Sequence, residues 1–373
     1  MKKHVTKNNS SQTAHQASCQ TPCALPEKNE LIQLDHGGGG QLGHTLFQRV
    51  ILPRFANQAL SRQHDSASLD LSDHRIAFTT DSYVVDPLIF PGGDIGKLAV
   101  YGTVNDLLMT GARPQYLSCS FIIEEGLPIH TLTQIIDSMA SAAEETGVTV
   151  VTGDTKVVDK GHGDGLYINT SGIGLRMWSN AIAPQSIQPG DQIILSSDIG
   201  RHGLAIMAQR EGLRFDSPIL SDCASLLPAV SALMDHGIDV HCMRDATRGG
   251  LASILVELAE ASGHSLCISQ ECIPVSDVVT GACEILGLDP LYVANEGCFV
   301  VIVPAEHAHQ AIDALRQHAI SRQSIIIGSI TTDNSANKSA GENTGEGKVL
   351  LRTEIGSTRV LRRLTGQLLP RIC

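Results

Sequence analysis

Apolar and polar positions change their period several times along this chain, and each change predicts an element. Residues 75–80 read as a strand. Between residues 94 and 110, Ile95, Leu98, Ala99, Val104, Leu107 and Leu108 recur at helical spacing. Leu117, Cys119, Phe121 and Ile123 then alternate with Ser118 and Ser120, the pattern of a strand buried on one face. Leu132, Ile135, Ile136 and Met139 form the apolar stripe of a helix over 131–146. Residues 148–152 and 166–177 are further strands. The turn-forming run 184–191 reads as a joint between domains. Beyond it, strands are predicted over 192–196, 299–303 and 348–352, and helices over 203–211 and 251–261. The mixture predicts an α+β fold (α/β mixed) of two domains, 31–180 and 181–352. Residues 1–30 are polar and aperiodic and read as a disordered extension, 332–347 as a flexible loop, and 353–373 as a flexible tail.

A length of 373 residues suits two domains with a sizeable core. A net charge of −12 argues against a broad phosphate-backbone footprint, and 3% aromatic residues argue against stacking platforms for single-stranded nucleic acid. Ten cysteines are too few for a disulfide scaffold; Cys119 and Cys298 sit in apolar runs and read as core thiols, which points to a reducing compartment. The N-terminal 30 residues show no apolar signal core, and the longest apolar run, 298–304, is too short to span a bilayer. The expectation is a cytoplasmic protein with neither membrane nor nucleic-acid partner. Cys19 and Cys23 have no evident partner ligands in their polar surroundings.

Candidate chemistry is scattered along both halves. The chain closes on Pro370-Arg371-Ile372-Cys373, which puts a nucleophilic thiol on a mobile end. Arg371 favours its thiolate and the adjacent carboxylate disfavours it. Gly37, Gly38, Gly39 and Gly40 offer backbone N–H groups to a ligand, or serve as a hinge; the P-loop pattern is absent. Asp65, Asp81, Asp106 and Asp154 are read as loop positions, with Asp81 and Asp154 just past strands. Each alone is an ordinary turn or cap residue. Together at one rim they repel unless cations lie between them, and Mg²⁺ on nucleotide phosphates is the economical answer. Residues 244–250 are read as opening a helix whose start suits an anion, with Asp245 as ligand or cap. Asn295-Glu296-Gly297 breaks the chain before a strand, so Glu296 is a metal ligand, a general base or part of a surface turn. Lys156 shares a face with Asp154 if the stretch is extended, and is an electrostatic partner or a base.

Taken together, Gly37–Gly40, Asp65-Ser-Ala, Thr80-Asp81-Ser82, the run 91–97, Gly102-Thr-Val-Asn105-Asp106, the run 152–157, Arg244-Asp245, Asn295-Glu296-Gly297 and the closing Pro-Arg-Ile-Cys resemble the HypE family. These are the carbamoyl dehydratases of nickel–iron hydrogenase maturation, within the aminoimidazole ribonucleotide synthetase superfamily. The resemblance runs from about residue 31 onward. It implies a two-domain synthetase-like fold, a homodimer, ATP and Mg²⁺. It implies that a HypF-like transferase carbamoylates Cys373, that ATP-driven dehydration leaves S-cyanocysteine, and that a HypC–HypD-like iron scaffold takes the cyanide. The implied nucleotide site is Gly37–Gly40, Asp65, Asp81, Asn105, Asp106, Asp154 and Asp245, with Asp65, Asp81, Asp106 and Asp154 on the metal. Cys373, Glu296 and Lys156 would carry the chemistry, with Glu296 favoured as base. The rivals are a selenophosphate synthetase-like enzyme, a thiamine-phosphate kinase-like enzyme, and a non-catalytic thiol carrier. The first would be expected to carry a reactive residue near the glycines, yet no cysteine lies between Cys23 and Cys119.

Overall fold

The computed structural model describes residues 40–46, 48, 67–71, 74–213, 215, 218–331, 347–364 and 371–373. A short helix, α1 (Gln41–Leu46), precedes the first sheet. That sheet holds β1 (Ala67–Leu71), β2 (His74–Tyr83), β5 (Ala112–Glu124), β6 (Thr149–Val158) and β7 (Leu166–Arg176) in the order β1-β2-β7-β5-β6. Only the β5–β6 pair is parallel. A small ribbon, β3 (Ile89–Phe90) and β4 (Gly93–Asp94), leads into helix α2 (Ile95–Met109).

Asp94 starts α2 by accepting the N–H groups of Gly96 (2.8 Å) and Lys97 (3.1 Å). The helix is buried nearly all round because it lies between the first sheet and the second half of the chain. Helix α3 (Ile129–Thr146) is amphipathic: Ile135, Met139, Ala142 and Ala143 are buried, and Gly147, at φ 69°, ends it. Both helices cover one face of the sheet. The other face leaves Phe78, Tyr116, Ile122, Ile173 and Leu175 exposed.

The second sheet holds β8 (Gln192–Leu195), β9 (Cys242–Asp245), β10 (Leu266–Ser269), β11 (Phe299–Val303), β12 (Ile325–Ile330), β13 (Val349–Arg352) and β14 (Thr358–Leu361), ordered β14-β13-β10-β12-β8-β11-β9. Its helices are α4 (Arg201–Arg210), α5 (Leu227–Asp235), α6 (Gly250–Ser262), α7 (Asp277–Leu286) and α8 (Ala308–Leu315). β11 is buried at every position, which explains its unbroken apolar run. Phe299, Val301 and Val303 face a core shared with α2, α5 and α8; Val300 and Ile302 face one built with α6. A single apolar cluster therefore joins the two halves.

Several sequence expectations change. Asp81 lies inside β2, Asp154 and Lys156 inside β6, and Asp106 inside α2; none of the three aspartates is in a loop. The strand read over 148–152 runs on to Val158 as β6; its second half hides from a periodicity search because β6 is an edge strand exposed almost throughout, so nothing forces its side chains to alternate. Asp245 closes β9 rather than opening a helix, and α6 begins only at Gly250. Residues 358–361, assigned to the tail, form β14 against β13.

Candidate active site

Arg371–Cys373 lies beside the end of β2 rather than free of the body. The N–H groups of Val84 and Asp86 donate to the carbonyls of Cys373 (3.4 Å) and Arg371 (3.2 Å). Ile372 is buried in the shared core. This carries Cys373 to a group of charges drawn from four places: Asp81 of β2, Asp245 of β9, Arg248 of the loop before α6, and Glu296 of the break before β11. Burial, then the Glu296 carboxylate, pushes the thiol far above its ordinary range, and Arg248 opposes the shift only in part.

The Asn295-Glu296-Gly297 break is a built-in feature, not a surface turn. Asn295 is fully buried; its Oδ1 accepts the Gly200 N–H (2.6 Å), and its Nδ2 donates to Ala246 O (2.7 Å) and Val293 O (3.1 Å). The Asp222 carboxylate accepts the N–H groups of Glu296 (3.1 Å) and Gly297 (3.0 Å). A Cβ at Gly297 would stand 2.0 Å from Asp222 O, so only glycine fits. Glu296 is thus fixed by its backbone while its carboxyl faces the site. Burial and the nearby Asp245, Asp222 and Asp81 carboxylates raise its pKa well above the usual carboxylate range. Asp245 is pushed up to about 6, chiefly by burial. Arg248 is the counter-charge: it faces Cys373, Asp81, Glu296 and Asp106, and approaches Asp81 at 4.0 Å.

Asp81 and Asp106 share this chamber, and the buried Thr79, two positions before Asp81 on the same strand face, donates to Asp106 (2.9 Å). Asn105 is buried, and its amide bonds to main-chain groups of the second half of the chain, Glu296 O (3.4 Å) among them. Its Oδ1 accepts the Leu226 N–H (2.9 Å) and its Nδ2 donates to Ala224 O (3.0 Å), which ties α2 to the second half. Asp154 and Lys156 pair with each other (2.7 Å) on the outer side of the sheet. The register shows why they do not join the others: Asp154 is level with Ser120, Asn169 and Ser82, and Ser82 points opposite to Asp81. Asp154 is also three strands from β2, about 14 Å at the usual strand spacing. Gly37, Gly38, Gly39 and Asp65 lie outside the described residues; Gly40 is buried at the start of α1. Among the described residues, no three His, Cys, Asp or Glu side chains form a metal-binding group. The carboxylates that do converge, Asp81 and Asp106, are hard oxygen donors of the kind Mg²⁺ takes.

Residues 63–176 match the model of the AIR synthase related protein N-terminal domain, and 188–338 that of the C-terminal domain. The carbamoyl dehydratase HypE of Azotobacter vinelandii is 44% identical over 349 residues, covering 94% of this chain and 99% of the relative. A crystal structure of the hydrogenase maturation protein HypE in complex with ATP is 44% identical, at TM-score 0.76, over 91% of this chain and 99% of that one. A HypE–HypF complex structure gives 42% identity and TM-score 0.78, over 86% of this chain and 99% of that one. The chain belongs to the HypE family.

Within a HypE-family chain, the groups missed by sequence reasoning are those that hold others in place. Arg248 lay in the quoted run 244–250, and its cationic charge among carboxylates was a usable signal. Asp222 and His202 gave none. His202 lies one residue before the helix read over 203–211, yet it is fully buried, with Ser221 Oγ 2.7 Å from Nδ1 and Ile372 O 2.9 Å from Nε2.

Proposed function

We propose that this protein is an ATP-dependent carbamoyl dehydratase that turns an S-carbamoyl group on Cys373 into S-cyanocysteine, the source of a cyanide ligand for the iron of a nickel–iron hydrogenase. The observation that carries this reading is the convergence of Cys373, Glu296, Arg248 and Asp81 in one chamber. A thiol carrier would need no base and no cation around its sulfur.

The chemistry follows from the groups present. The carbamoyl oxygen is a poor leaving group until it takes the terminal phosphoryl group of ATP. One N–H proton is given up as the oxygen is phosphorylated and ends on the departing phosphate; the other goes to Glu296 as the C–O bond breaks, leaving C≡N on sulfur and carrying the oxygen away in phosphate. The products are the thiocyanate, ADP, phosphate and a proton. Glu296 accepts the proton because its raised pKa makes it a stronger base than an exposed carboxylate. Arg248 stabilises the anionic phosphoryl oxygens, and the docked segment keeps water from the phosphorylated carbon. Asp81 and Asp106 would hold Mg²⁺, which neutralises nucleotide charge when bound; Gly37–Gly40, Asp65 and Asp245 complete the proposed nucleotide site.

Asp154 and Lys156 enter this scheme through a homodimer. Their face of the sheet carries the exposed Phe78, Tyr116, Ile122 and Ile173, the apolar surface a second copy would cover. Lys156 would then act as electrostatic partner in the neighbouring site. A HypF-like transferase would load Cys373, and a HypC–HypD-like scaffold would take the cyanide, in the cytoplasm; no helix among the described residues is long and apolar enough to cross a membrane. The test is intact mass after incubation with carbamoyl phosphate, ATP and the transferase: carbamoyl then cyano adducts on Cys373 support the reading, and adducts on any other thiol overturn it.

A further inference from the structure

The docked segment is held by more than strand-like pairing. Each of its three main-chain oxygen acceptors has a donor. Arg371 O accepts from the Asp86 N–H and from the Arg210 guanidinium, and Cys373 O accepts from the Val84 N–H. Ile372 O accepts from His202, a fully buried imidazole at the start of α4. The tautomer of that ring is fixed from both ends. A carbonyl only accepts, so Nε2 carries the proton. At the other end, Ser221 Oγ accepts the Cys223 N–H (3.0 Å), so its own hydroxyl proton is free to go to Nδ1. Ser221 is itself immobile: its N–H donates to Pro91 O (2.8 Å), and a Cβ on Gly92 would meet that nitrogen at 2.7 Å. Burial keeps the imidazole neutral, and the Phe90 ring stands edge-on at 5.5 Å.

We propose that His202, set in its Nε2–H tautomer by Ser221, is a positioning residue that latches the Arg371–Cys373 segment, and that this latch sets the balance between a docked state for dehydration and a released state for loading. The inference rests on the proposed activity for its purpose, not for its test. Opening the latch removes a hydrogen bond from a carbonyl beside a buried isoleucine, and the docked state loses what that bond contributes. Cys373, partly buried against charge when docked, becomes an ordinary accessible thiol when released.

The experiment compares His202→Leu, His202→Gln and Ser221→Ala with the wild-type full chain. Iodoacetamide labelling of Cys373 is followed by peptide-resolved mass spectrometry, because Cys267 is exposed. His202→Leu is expected to raise the labelling rate about tenfold, equal to about 1.4 kcal/mol of lost docking. Ser221→Ala should move it the same way by less. His202→Gln, whose amide both donates and accepts, should restore slow labelling. With carbamoyl substrate, loading by the transferase should hold or quicken in His202→Leu while single-turnover dehydration falls by a similar factor. Unchanged Cys373 labelling in both a folded His202→Leu and Ser221→Ala overturns the latch. If His202→Leu does not fold, unchanged labelling in Ser221→Ala overturns it alone. If wild-type protein never forms a cyano adduct, the proposed activity fails, whereas the labelling result still judges the latch.

Discussion

Replacing Glu296 by Gln isolates its proposed proton-accepting role with little else disturbed. The side chain keeps its size, and the loop keeps its shape, because Asp222 and Asn295 hold the backbone rather than the carboxyl. General-base catalysis commonly contributes about 10²–10⁴-fold, or about 2.7–5.4 kcal/mol at 1.36 kcal/mol per tenfold. The variant is therefore expected to accumulate carbamoylated Cys373, with single-turnover dehydration slowed at least about 100-fold. The structure adds a second expectation. After burial, Glu296 is the largest influence raising the Cys373 thiol, so the neutral amide should bring that pKa down toward its ordinary value. Pre-loaded protein, mixed with saturating Mg²⁺-ATP and quenched over time, reports the first by loss of one water in intact mass. Labelling against pH reports the second. The wild-type rate should rise with pH through an apparent value well above the ordinary carboxylate range, since a base acts when deprotonated, and the variant should lose that limb. The apparent value belongs to the coupled carboxylates together, Asp245 at about 6 among them. Dehydration in Glu296→Gln at the wild-type rate would refute the assignment.

Other perturbations address other links. Asp81→Asn should weaken Mg²⁺-ATP binding by about tenfold or more in calorimetry while loading of Cys373 persists; unchanged affinity would move the metal site elsewhere. Gly297→Ala places a methyl 2.0 Å from Asp222 O and should destabilise the fold by about 1–3 kcal/mol in denaturant titration, with dehydration lost beyond that measure; a neutral effect would mean the loop can yield. Phe78→Glu with Tyr116→Glu should shift a homodimer to monomer in sedimentation, and dehydration should fall with it if Lys156 serves the neighbouring site. An unchanged mass, or a fully active monomer, would separate those two ideas.

Legibility differed between elements for physical reasons. α2 and β11 announced themselves because burial leaves an apolar trace: α2 is enclosed by both halves, and β11 by a core on each face. β6, an exposed edge, left a trace only in its first residues, so it was read as strand followed by loop. The candidate site was legible as residue types, not as an assembly. Cys373 and Glu296, 77 positions apart in sequence, meet because the Arg371–Cys373 segment runs back along the end of β2. Asp81 and Asp154 looked equivalent as strand-end acids, yet a one-residue difference in register puts them on opposite faces of the same sheet. Parity of that kind depends on pairing partners a single strand does not reveal. Asp222 and His202 act through backbone groups, and a backbone contact leaves no residue-type signature at its other end.

On the proposed activity, the charge penalty on the docked thiol adds to the His202 latch in ordering the cycle. A thiol raised on docking favours the docked state fully below its undocked pKa, ordinarily about 8.5, and progressively less above it, because the released form then gains a thiolate that the chamber penalises. Labelling of Cys373 should therefore climb more steeply with pH than labelling of Cys267, by release as well as by ionisation. An S-carbamoyl group is neutral and suffers no such penalty. The chamber thus discriminates: it accepts the loaded sulfur at any pH and rejects the unloaded sulfur in the nucleophilic form that loading requires. On the proposed activity, loading would belong to the released segment and dehydration to the docked one, with the charge of the thiol adding to the His202 latch in telling the two states apart. If the Cys373 and Cys267 labelling rates kept a constant ratio across the alkaline range, docking would be indifferent to the thiol's charge and that ordering would fail.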